Sequence, residues 1–369
     1  MLKLNIINYF KRISFPNRLP SLDGWRAISI AMVLGSHCVY SEGFPGEWKI
    51  AFSWIFDGGL GVRFFFVISG FIITWLMLKE WEFTGTVKLK SFYKRRALRI
   101  LPVYYLFLLT IFLLQCLTPY KQSLVAWIGN LTFTSNFVDS GFTTGHLWSL
   151  ATEEQFYLIW PLLFTLGGLS TNKRLAATVL LIALIVAPLS RVAGYCGHPQ
   201  ILYPLTRHFS FFNFFDSLAF GCLGAYMFLY KPQLKVVFSQ KKFLTVFIGL
   251  ILVLIPYILM RYRLPRYLMI PFGPSLQALG FLIILLQSIS LPAWGLYRAL
   301  NYKIVVWLGA ISYSIYIWQE IFCSPSELFG VGHLWWFSFP CWVLTALCVA
   351  TVSYYTVECP ILRLRSHFR

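Results

Sequence analysis

Three ionisable residues occur in the first apolar run of this 369-residue chain, at spacings that place them on one side of a helix. Asp23 and Arg26 are three residues apart and can pair, and Arg26 and His37 are eleven apart, about three helical turns. A neutral imidazole within an apolar span can take a proton from a hydroxyl group. We therefore predict that His37 is a general base and that Asp23 and Arg26 support it. The alternative is a buried histidine bonded to a neighbouring carbonyl group.

Four cations mark the start of another apolar run, in the segment SFYKRRALRILPVYY at residues 91–105. They are Lys94, Arg95, Arg96 and Arg99, and the last two share a helix face. Because arginine forks bind phosphate bidentately, an anion with several phosphates would suit this cluster. The alternative is a basic segment that orients the helix or contacts lipid headgroups.

Two adjacent carboxylates, Glu153 and Glu154, occur in the aromatic segment HLWSLATEEQFYLIWPLL. Neighbours on a helix point about 100° apart, so at most one of them needs to face a shared cavity. Acidic groups this far into an apolar helix need partners, which favours a functional role over a helix-start role. Glu320 and Glu358 fall near the ends of later apolar runs, where water could solvate them, and are predicted to be structural.

The elements that carry these residues are predicted to be membrane helices. Hydrophobic residues make up 58% of the chain and charged residues 12%, about half the charged share of a soluble domain. The mean hydropathy is +0.69. The chain is therefore predicted to be an all-α, polytopic integral membrane protein. Its net charge of +18 does not indicate nucleic-acid binding, because no soluble domain would carry a basic face.

A helical span needs about 20 mostly apolar residues, and this criterion predicts about ten transmembrane helices. The predicted spans lie near residues 22–40, 58–78, 99–117, 147–168, 175–193, 210–230, 243–260, 271–290, 304–323 and 335–357. The segment 124–138 contains several polar residues and is predicted to be re-entrant or interfacial. Glycines in the second span, at 58, 59, 61 and 70, are expected to let helix backbones approach closely.

Basic residues predict that both termini are cytoplasmic, because loops rich in Lys and Arg stay on that side. This divides the chain into a tail at 1–21, a transmembrane domain at 22–358 and a tail at 359–369. The predicted cytoplasmic groups include Lys3, Lys11, Arg12, Arg18, Lys173, Arg174, Arg363, Arg365 and Arg369. The predicted outer loops hold fewer, namely Lys49, Lys121, Arg207 and the group Arg261, Arg263 and Arg266. That last group places three cations in one predicted outer loop, whereas the rule expects such a cluster on the cytoplasmic side.

The eight cysteines form no CxxC pair, so neither a zinc motif nor a redox motif is predicted. Most of them fall in apolar runs, where cysteine behaves as a small hydrophobic residue. We expect no metal site and no resident cofactor.

Six segments together resemble the membrane acyltransferase family 3, the integral-membrane O-acyltransferases that act on carbohydrates. They are LDGWRAISIAMVLGSH, GVRFFFVISGFIIT, FYKRRALRILPVYY, HLWSLATEEQFYLIWPLL, LGAISYSIYIWQE and SYYTVECPILR. The resemblance implies transfer of an acyl group, usually acetyl, from cytoplasmic acyl-CoA to a hydroxyl of a cell-surface or lipid-linked glycan. It also implies a multi-pass protein of the bacterial cytoplasmic (inner) membrane, with acyl-CoA as co-substrate and no nucleic-acid partner.

The resemblance also implies roles for individual residues. The family's first-span Arg and His fall on Arg26 and His37, its Arg-x-x-Arg on Arg96 and Arg99, and its Glu on Glu154, so the catalytic pair would be His37 and Glu154. The charge pattern adds Asp23 as a support beside Arg26, and Arg95 as an acyl-CoA-binding residue beside Arg96 and Arg99. The candidate acceptor-binding residues are Trp148, Tyr157 and Arg63, whose charge departs from the family pattern. Gln319 stands where the family often has histidine, so no proton-transfer role is expected there. Direct transfer and a covalent acyl-His37 relay are both open.

Other activities remain open on the sequence. The acceptor could be a small molecule such as a macrolide, or the acyl group could be succinyl. A transporter or flippase for a lipid-linked glycan would also need many spans, buried charges and aromatic cavities. No internal repeat of the kind common in transporters is visible. The esterase-like domain that some family members carry is not expected in this chain.

Overall fold

A computed structural model of the chain describes residues 19–197 and 210–364, which form helices and connecting loops without a β-strand. Several basic residues of the topology prediction lie outside the described residues: Lys3, Lys11, Arg12, Arg18, Arg207, Arg365 and Arg369. The structure therefore describes only residues 19–21 of the predicted N-terminal tail and only residues 359–364 of the predicted C-terminal tail.

The described α-helices follow one another along the chain and are numbered here in order. They are α1 (Leu22–Cys38), α2 (Lys49–Ile55), α3 (Gly58–Thr84), α4 (Leu89–Leu117), α5 (Leu124–Leu131), α6 (Leu147–Thr165), α7 (Lys173–Cys196), α8 (Phe211–Tyr230), α9 (Gln233–Gln240), α10 (Lys242–Arg261), α11 (Arg266–Ser290), α12 (Lys303–Ala310), α13 (Ser312–Cys323), α14 (Cys341–Ser353) and α15 (Cys359–Leu364). A π-helical turn, Tyr354–Glu358, joins the last two.

The prediction of an all-α, polytopic membrane protein is confirmed. Among the described residues, seven helices are long and apolar enough to cross a membrane, or eight if the bent pair α12–α13 is one span. The predicted spans in α1 and α6 are also helical, but α1 has only 17 residues and α6 contains two carboxylates. Both of these helices carry residues singled out as candidates for the site, namely Asp23, Arg26 and His37 on α1 and Glu153 and Glu154 on α6.

The ambiguous segment at 124–138 does not form a membrane-crossing helix. Its helix α5 has eight residues, about 12 Å at the helical rise, whereas a span needs about 30 Å. The chain then turns and continues as a short 3₁₀ helix at Ser135–Phe137. This agrees with the interpretation of the segment as re-entrant or interfacial.

Close helix crossings occur where glycine leaves room for a neighbouring backbone. A Cβ added at Gly70 of α3 would collide with the Leu218 carbonyl of α8, and one at Gly221 would collide with the Val67 carbonyl. Gly309 of α12 lies in the same way against the backbone of Asp23 in α1. The expected close approach at Gly70 is therefore confirmed, and Gly309 packs the broken span α12–α13 onto the helix that carries His37.

The span α12–α13 is bent by 66° near Ile311. Irregular backbone at this depth is tolerated where it is buried in protein or lines a cavity. The prediction that water solvates Glu320 and Glu358 is wrong, because only 8% and 5% of these residues are exposed. Glu320 lies on α13 inside the bundle, and Glu358 accepts a hydrogen bond from Ser314.

A buried pair of opposite charges, Arg191 and Asp216, connects α7, α8 and α11. Arg191 Nη2 lies 2.5 Å from Asp216 Oδ2, and Arg191 Nη1 donates to the carbonyl of Pro271 and to Ser275 Oγ. Ser275 Oγ also donates to Asp216. Because these hydrogen bonds satisfy both ions away from water, the pair holds the three helices in register.

Candidate active site

Three arginines from two helices line a narrow cavity of about 80 Å³, here called the arginine cavity. Arg26 comes from α1, and Arg96 and Arg99 come from one face of α4, as their spacing predicts. Arg26 Nη1 lies 3.8 Å from Asp23 Oδ1, so the predicted pairing of these two residues is confirmed. Side chains of α3, α6 and α13 complete the cavity wall.

Arg96 is held by the two carboxylates of α6. Its guanidinium lies 3.9 Å from Glu153 and 3.7 Å from Glu154, and its central carbon lies 3.4 Å from the centre of the Tyr157 ring. Ser69 Oγ of α3 donates to Glu153 at 2.6 Å. Both acids therefore contact one cation, and Glu153 rather than Glu154 is the one that lines the cavity.

The predicted trio of phosphate-binding arginines is divided in the structure. Arg95 Nη2 lies 3.3 Å from Glu80 Oε2 of α3, and Arg95 does not line the arginine cavity. Arg95 follows a direction about 100° from that of Arg96 around α4, and its pairing with Glu80 directs it towards α3 and away from the cavity. Glu358 lies within electrostatic range of Arg99 and Arg26.

A wider cavity of about 580 Å³ surrounds His37 and is here called the histidine cavity. His37 Nδ1 lies 3.3 Å from Glu320 Oε2 of α13, and His146 Nδ1 lies 3.9 Å from the same oxygen. His146 is buried beside this carboxylate. A carboxylate next to an imidazole stabilises the imidazolium that proton transfer creates.

The carboxylate beside His37 is therefore Glu320, whereas Glu154 lies on the arginine side of the site. Sequence reasoning missed Glu320 because a position near a span end suggested solvation. It also missed His146, whose only signal was its place directly before the segment LWSLATEEQF. Of the candidate acceptor-binding residues, Trp148 lines the histidine cavity and Tyr157 the arginine cavity.

The third candidate acceptor-binding residue, Arg63, lines neither cavity. Its Nη1 donates to Gln277 Oε1 of α11 at 2.8 Å. Its charge therefore serves the contact between α3 and α11.

The two cavities adjoin, because Val62 and Tyr316 line both of them. The Tyr316 hydroxyl lies 2.6 Å from Ser149 Oγ and donates to the carbonyl of His146. Arg26 and His37 lie on the same face of α1, about 16 Å apart along the helix axis. Val62 and Tyr316 therefore mark the place where the arginine cavity meets the cavity of the imidazole.

Three potential metal ligands lie close together at the edge of α1 and α13, two of which, His37 and Glu320, line the histidine cavity. The ring nitrogen of His37, the carboxylate of Glu320 and the thiol of Cys323 all lie within 4.8 Å of one another. These are ligand types that zinc accepts. The proximity of His37 and Glu320 is also what a histidine base with an adjacent carboxylate requires. Our expectation that the protein binds no metal here remains a prediction.

The family described as "Acyltransferase domain" matches residues 19–356 of the chain, which includes both cavities. The chain belongs to this acyltransferase 3 family. The resemblance drawn from the six sequence segments is thereby confirmed.

Curated relatives include the peptidoglycan O-acetyltransferase OatA of Listeria monocytogenes, 30% identical over 82% of this chain and 49% of its own length. YrhL of Bacillus subtilis, provisionally named for the same activity, is 28% identical over 93% of this chain and 55% of its own length. The chain thus spans about half the length of these relatives. No solved structure matches it.

Proposed function

We propose that this protein is a membrane O-acyltransferase that moves an acetyl group from acyl-CoA to a hydroxyl of a glycan in the bacterial cell envelope. Family membership and the names of the relatives support this activity. Peptidoglycan is the glycan in the names of OatA and YrhL, and we propose a glycan of that kind as the acceptor. The membrane would be the cytoplasmic membrane, with the arginine cavity on the cytoplasmic side.

The observation that carries this proposal is the position of His37 next to Glu320, in a cavity that adjoins the arginine cavity. Glu320 faces Nδ1, so the other ring nitrogen, Nε2, is the one available to a substrate. A hydrogen on Nδ1 directed at the carboxylate leaves a lone pair on Nε2, which is the tautomer that a general base requires.

The reaction balances with these groups alone. His37 Nε2 takes the proton of the acceptor hydroxyl, and the hydroxyl oxygen bonds to the thioester carbonyl carbon. The carbon–sulfur bond then breaks, and the sulfur leaves with the proton that His37 returns to it. Glu320 stabilises the imidazolium between these two steps. In the alternative relay, His37 Nε2 bonds to the thioester carbonyl carbon and the carbon–sulfur bond breaks. The hydroxyl oxygen then bonds to that carbon as the carbon–nitrogen bond breaks, and the hydroxyl proton passes to the released sulfur.

On the donor side, Arg99 and Arg26 are proposed to bind the phosphates of acyl-CoA at the cytoplasmic end. Arg26 has one carboxylate neighbour, Asp23, whereas Arg96 contacts both Glu153 and Glu154, so we assign Arg96 the positioning of α4 against α6. The pantetheine arm, which is long and thin, would pass between Val62 and Tyr316 and present the thioester to His37.

The test is acetyl transfer by the purified protein in lipid vesicles, with acetyl-labelled acetyl-CoA and peptidoglycan-derived oligosaccharides. We expect labelled oligosaccharide from the wild type and a loss of at least about 10²-fold in the His37→Ala variant. A transporter would move glycan without consuming acetyl-CoA. Full activity in His37→Ala, or no use of acetyl-CoA by the wild type, would overturn the proposal.

A complementary measurement is mass spectrometry of cell-surface glycans with and without the gene. We expect loss of one acetyl mass from a defined sugar when the gene is removed. Restoring the gene as His37→Ala should not bring that mass back.

A further inference from the structure

The arginine that ends α10 is the feature of the histidine cavity that acyl transfer leaves unexplained. Arg261 lines this cavity together with His37 and Glu320. It also belongs to the group Arg261, Arg263 and Arg266, which opposes the positive-inside rule. A cation at a helix C-terminus is favoured by the helix dipole, but that preference requires no fixed orientation.

The guanidinium of Arg261 is held in one orientation. Its Nε and Nη2 both donate to the Tyr257 hydroxyl at 3.2 Å, and its central carbon lies 5.5 Å from the ring centres of Trp54 and Tyr257. The Tyr257 hydroxyl in turn donates to the carbonyl groups of Ser53 and Trp54. The cation is thus fixed between α2 and α10 before any ligand binds, which reduces the entropy lost on binding.

The contacts that hold the Arg261 guanidinium bring no negative charge to it. Among the residues that the structure describes, it contacts the Tyr257 hydroxyl and the rings of Trp54 and Tyr257, which are neutral groups. Two carboxylates line the cavity, but Asp57 accepts from the Leu60 amide as the cap of α3. The second, Glu320, faces His37.

Aromatic side chains line the same cavity as this cation. They include Tyr40, which is 79% exposed, and Trp148, and both offer ring surface to a bound molecule. Flat apolar faces in one cavity with an oriented cation suit an anionic sugar better than they suit a neutral sugar or a bare ion.

We propose that the histidine cavity contains an anion subsite, in which Arg261 binds a carboxylate or phosphate carried by the acceptor glycan. A guanidinium binds either anion through paired N–H donors. This inference rests on the proposed function, since it places the acceptor in this cavity. It narrows the acceptor class to glycans with an anionic group near the hydroxyl that is acetylated.

The test compares one glycan in two charge states, in vesicles of the zwitterionic lipid phosphatidylcholine. The probes are a tetrasaccharide of alternating N-acetylglucosamine and N-acetylmuramic acid with free carboxylates, and the same tetrasaccharide with those carboxylates amidated. A third probe is the amidated glycan linked to a lipid diphosphate. Both equilibrium binding and acetyl transfer are measured for wild type, Arg261→Gln and Arg261→Lys.

The matched control is Arg266→Gln, which removes an exposed charge from the same group but not from the cavity. In Arg261→Gln we expect KM and Kd for the anionic glycan to rise about tenfold or more, with kcat little changed. Binding of the amidated glycan should not change, and Arg261→Lys should lie between the two. Arg266→Gln should behave as the wild type, and an unaltered unfolding temperature excludes misfolding.

The outcomes separate the anion sources and the two proposals. An effect restricted to the free carboxylate or to the lipid diphosphate identifies which anion is bound. An equal effect of Arg261→Gln on charged and amidated glycans would overturn the subsite, as would an effect seen only in vesicles of anionic lipid. If the wild type transfers no acetyl group but binds the anionic glycan through Arg261, the subsite stands and the proposed function fails.

Discussion

The Nδ1 atom of His37 lies 3.3 Å from a carboxylate oxygen of Glu320, which joins the first membrane helix to the broken span near the end of the chain. Gly309, which packs against the backbone of Asp23, brings α12 next to α1. The bend of 66° between α12 and α13 then directs Glu320 towards the imidazole. The proposed general base thus depends on a helix break as well as on its own helix.

Replacement of Glu320 by glutamine should lower kcat about 10²-fold or more, because the imidazolium formed during proton transfer loses its stabilising charge. The KM for acetyl-CoA should stay close to the wild-type value, since Glu320 lies away from the arginine cavity. Steady-state kinetics in vesicles measure both quantities. The control is Glu154→Gln, which removes a carboxylate beside Arg96 and not beside His37. A larger loss of kcat in Glu154→Gln than in Glu320→Gln would contradict this assignment.

Replacement of Arg99 by alanine should raise the KM for acetyl-CoA about tenfold or more, because one charge-assisted contact to phosphate is lost. Arg95→Ala is the matched control, since Arg95 lies outside the cavity and pairs with Glu80. We expect its KM to change much less. Titration of acetyl-CoA at saturating acceptor separates the two variants. Equal increases in both would mean that the phosphates bind at the cytoplasmic surface and not in the cavity.

Enlarging Val62 to tryptophan should block the passage between the two cavities, because Val62 lines both. We expect loss of acetyl transfer while binding of coenzyme A without an acyl group is retained. Val62→Ala, which removes volume at the same place, should remain active. Binding is measured by calorimetry and transfer by labelled acetyl-CoA. Transfer at the wild-type rate in Val62→Trp would show that the thioester reaches His37 by another route.

Composition and short-range spacing predicted much of this architecture. The apolar runs predicted the helices, and the spacing of Asp23, Arg26 and His37 predicted that Asp23 pairs with Arg26 and that Arg26 and His37 share one side of α1. Arg96 and Arg99 likewise share a cavity wall, as an i, i+3 pair must. These inferences succeed because each depends on residues within three turns of one helix.

The partners across helices could not be predicted in this way. Glu320 is near His37 only because of the packing at Gly309 and the bend at Ile311, neither of which leaves a periodic signal. Glu153 and Glu154 both reach Arg96 because a long, flexible arginine can contact neighbours that point 100° apart. Position near the end of a span therefore does not predict solvation, as the burial of Glu320 and Glu358 shows.

Removal of metal ions should leave the activity unchanged, although His37, Glu320 and Cys323 lie within 4.8 Å of one another. Proton transfer by His37 requires its lone pair, and a bound ion would compete for the same histidine. We expect treatment with a strong chelator to have no effect and Cys323→Ala to retain activity. Elemental analysis of the purified protein provides an independent check. Loss of activity with the chelator, restored by zinc, would contradict the metal-free mechanism.

Breaking the Arg191–Asp216 pair should destabilise the protein without a direct effect on the chemistry. In Arg191→Met the Asp216 carboxylate, which is fully buried, loses its cation, and such a loss costs about 3–5 kcal/mol. Arg174→Met, at the exposed start of the same helix, is the control and should unfold like the wild type. Unfolding in detergent, followed by circular dichroism, measures the difference. The double variant Arg191→Met with Asp216→Leu should be less destabilised than Arg191→Met, because it leaves no unpaired ion. If all three variants unfolded at one temperature, the pair would not hold α7, α8 and α11 together.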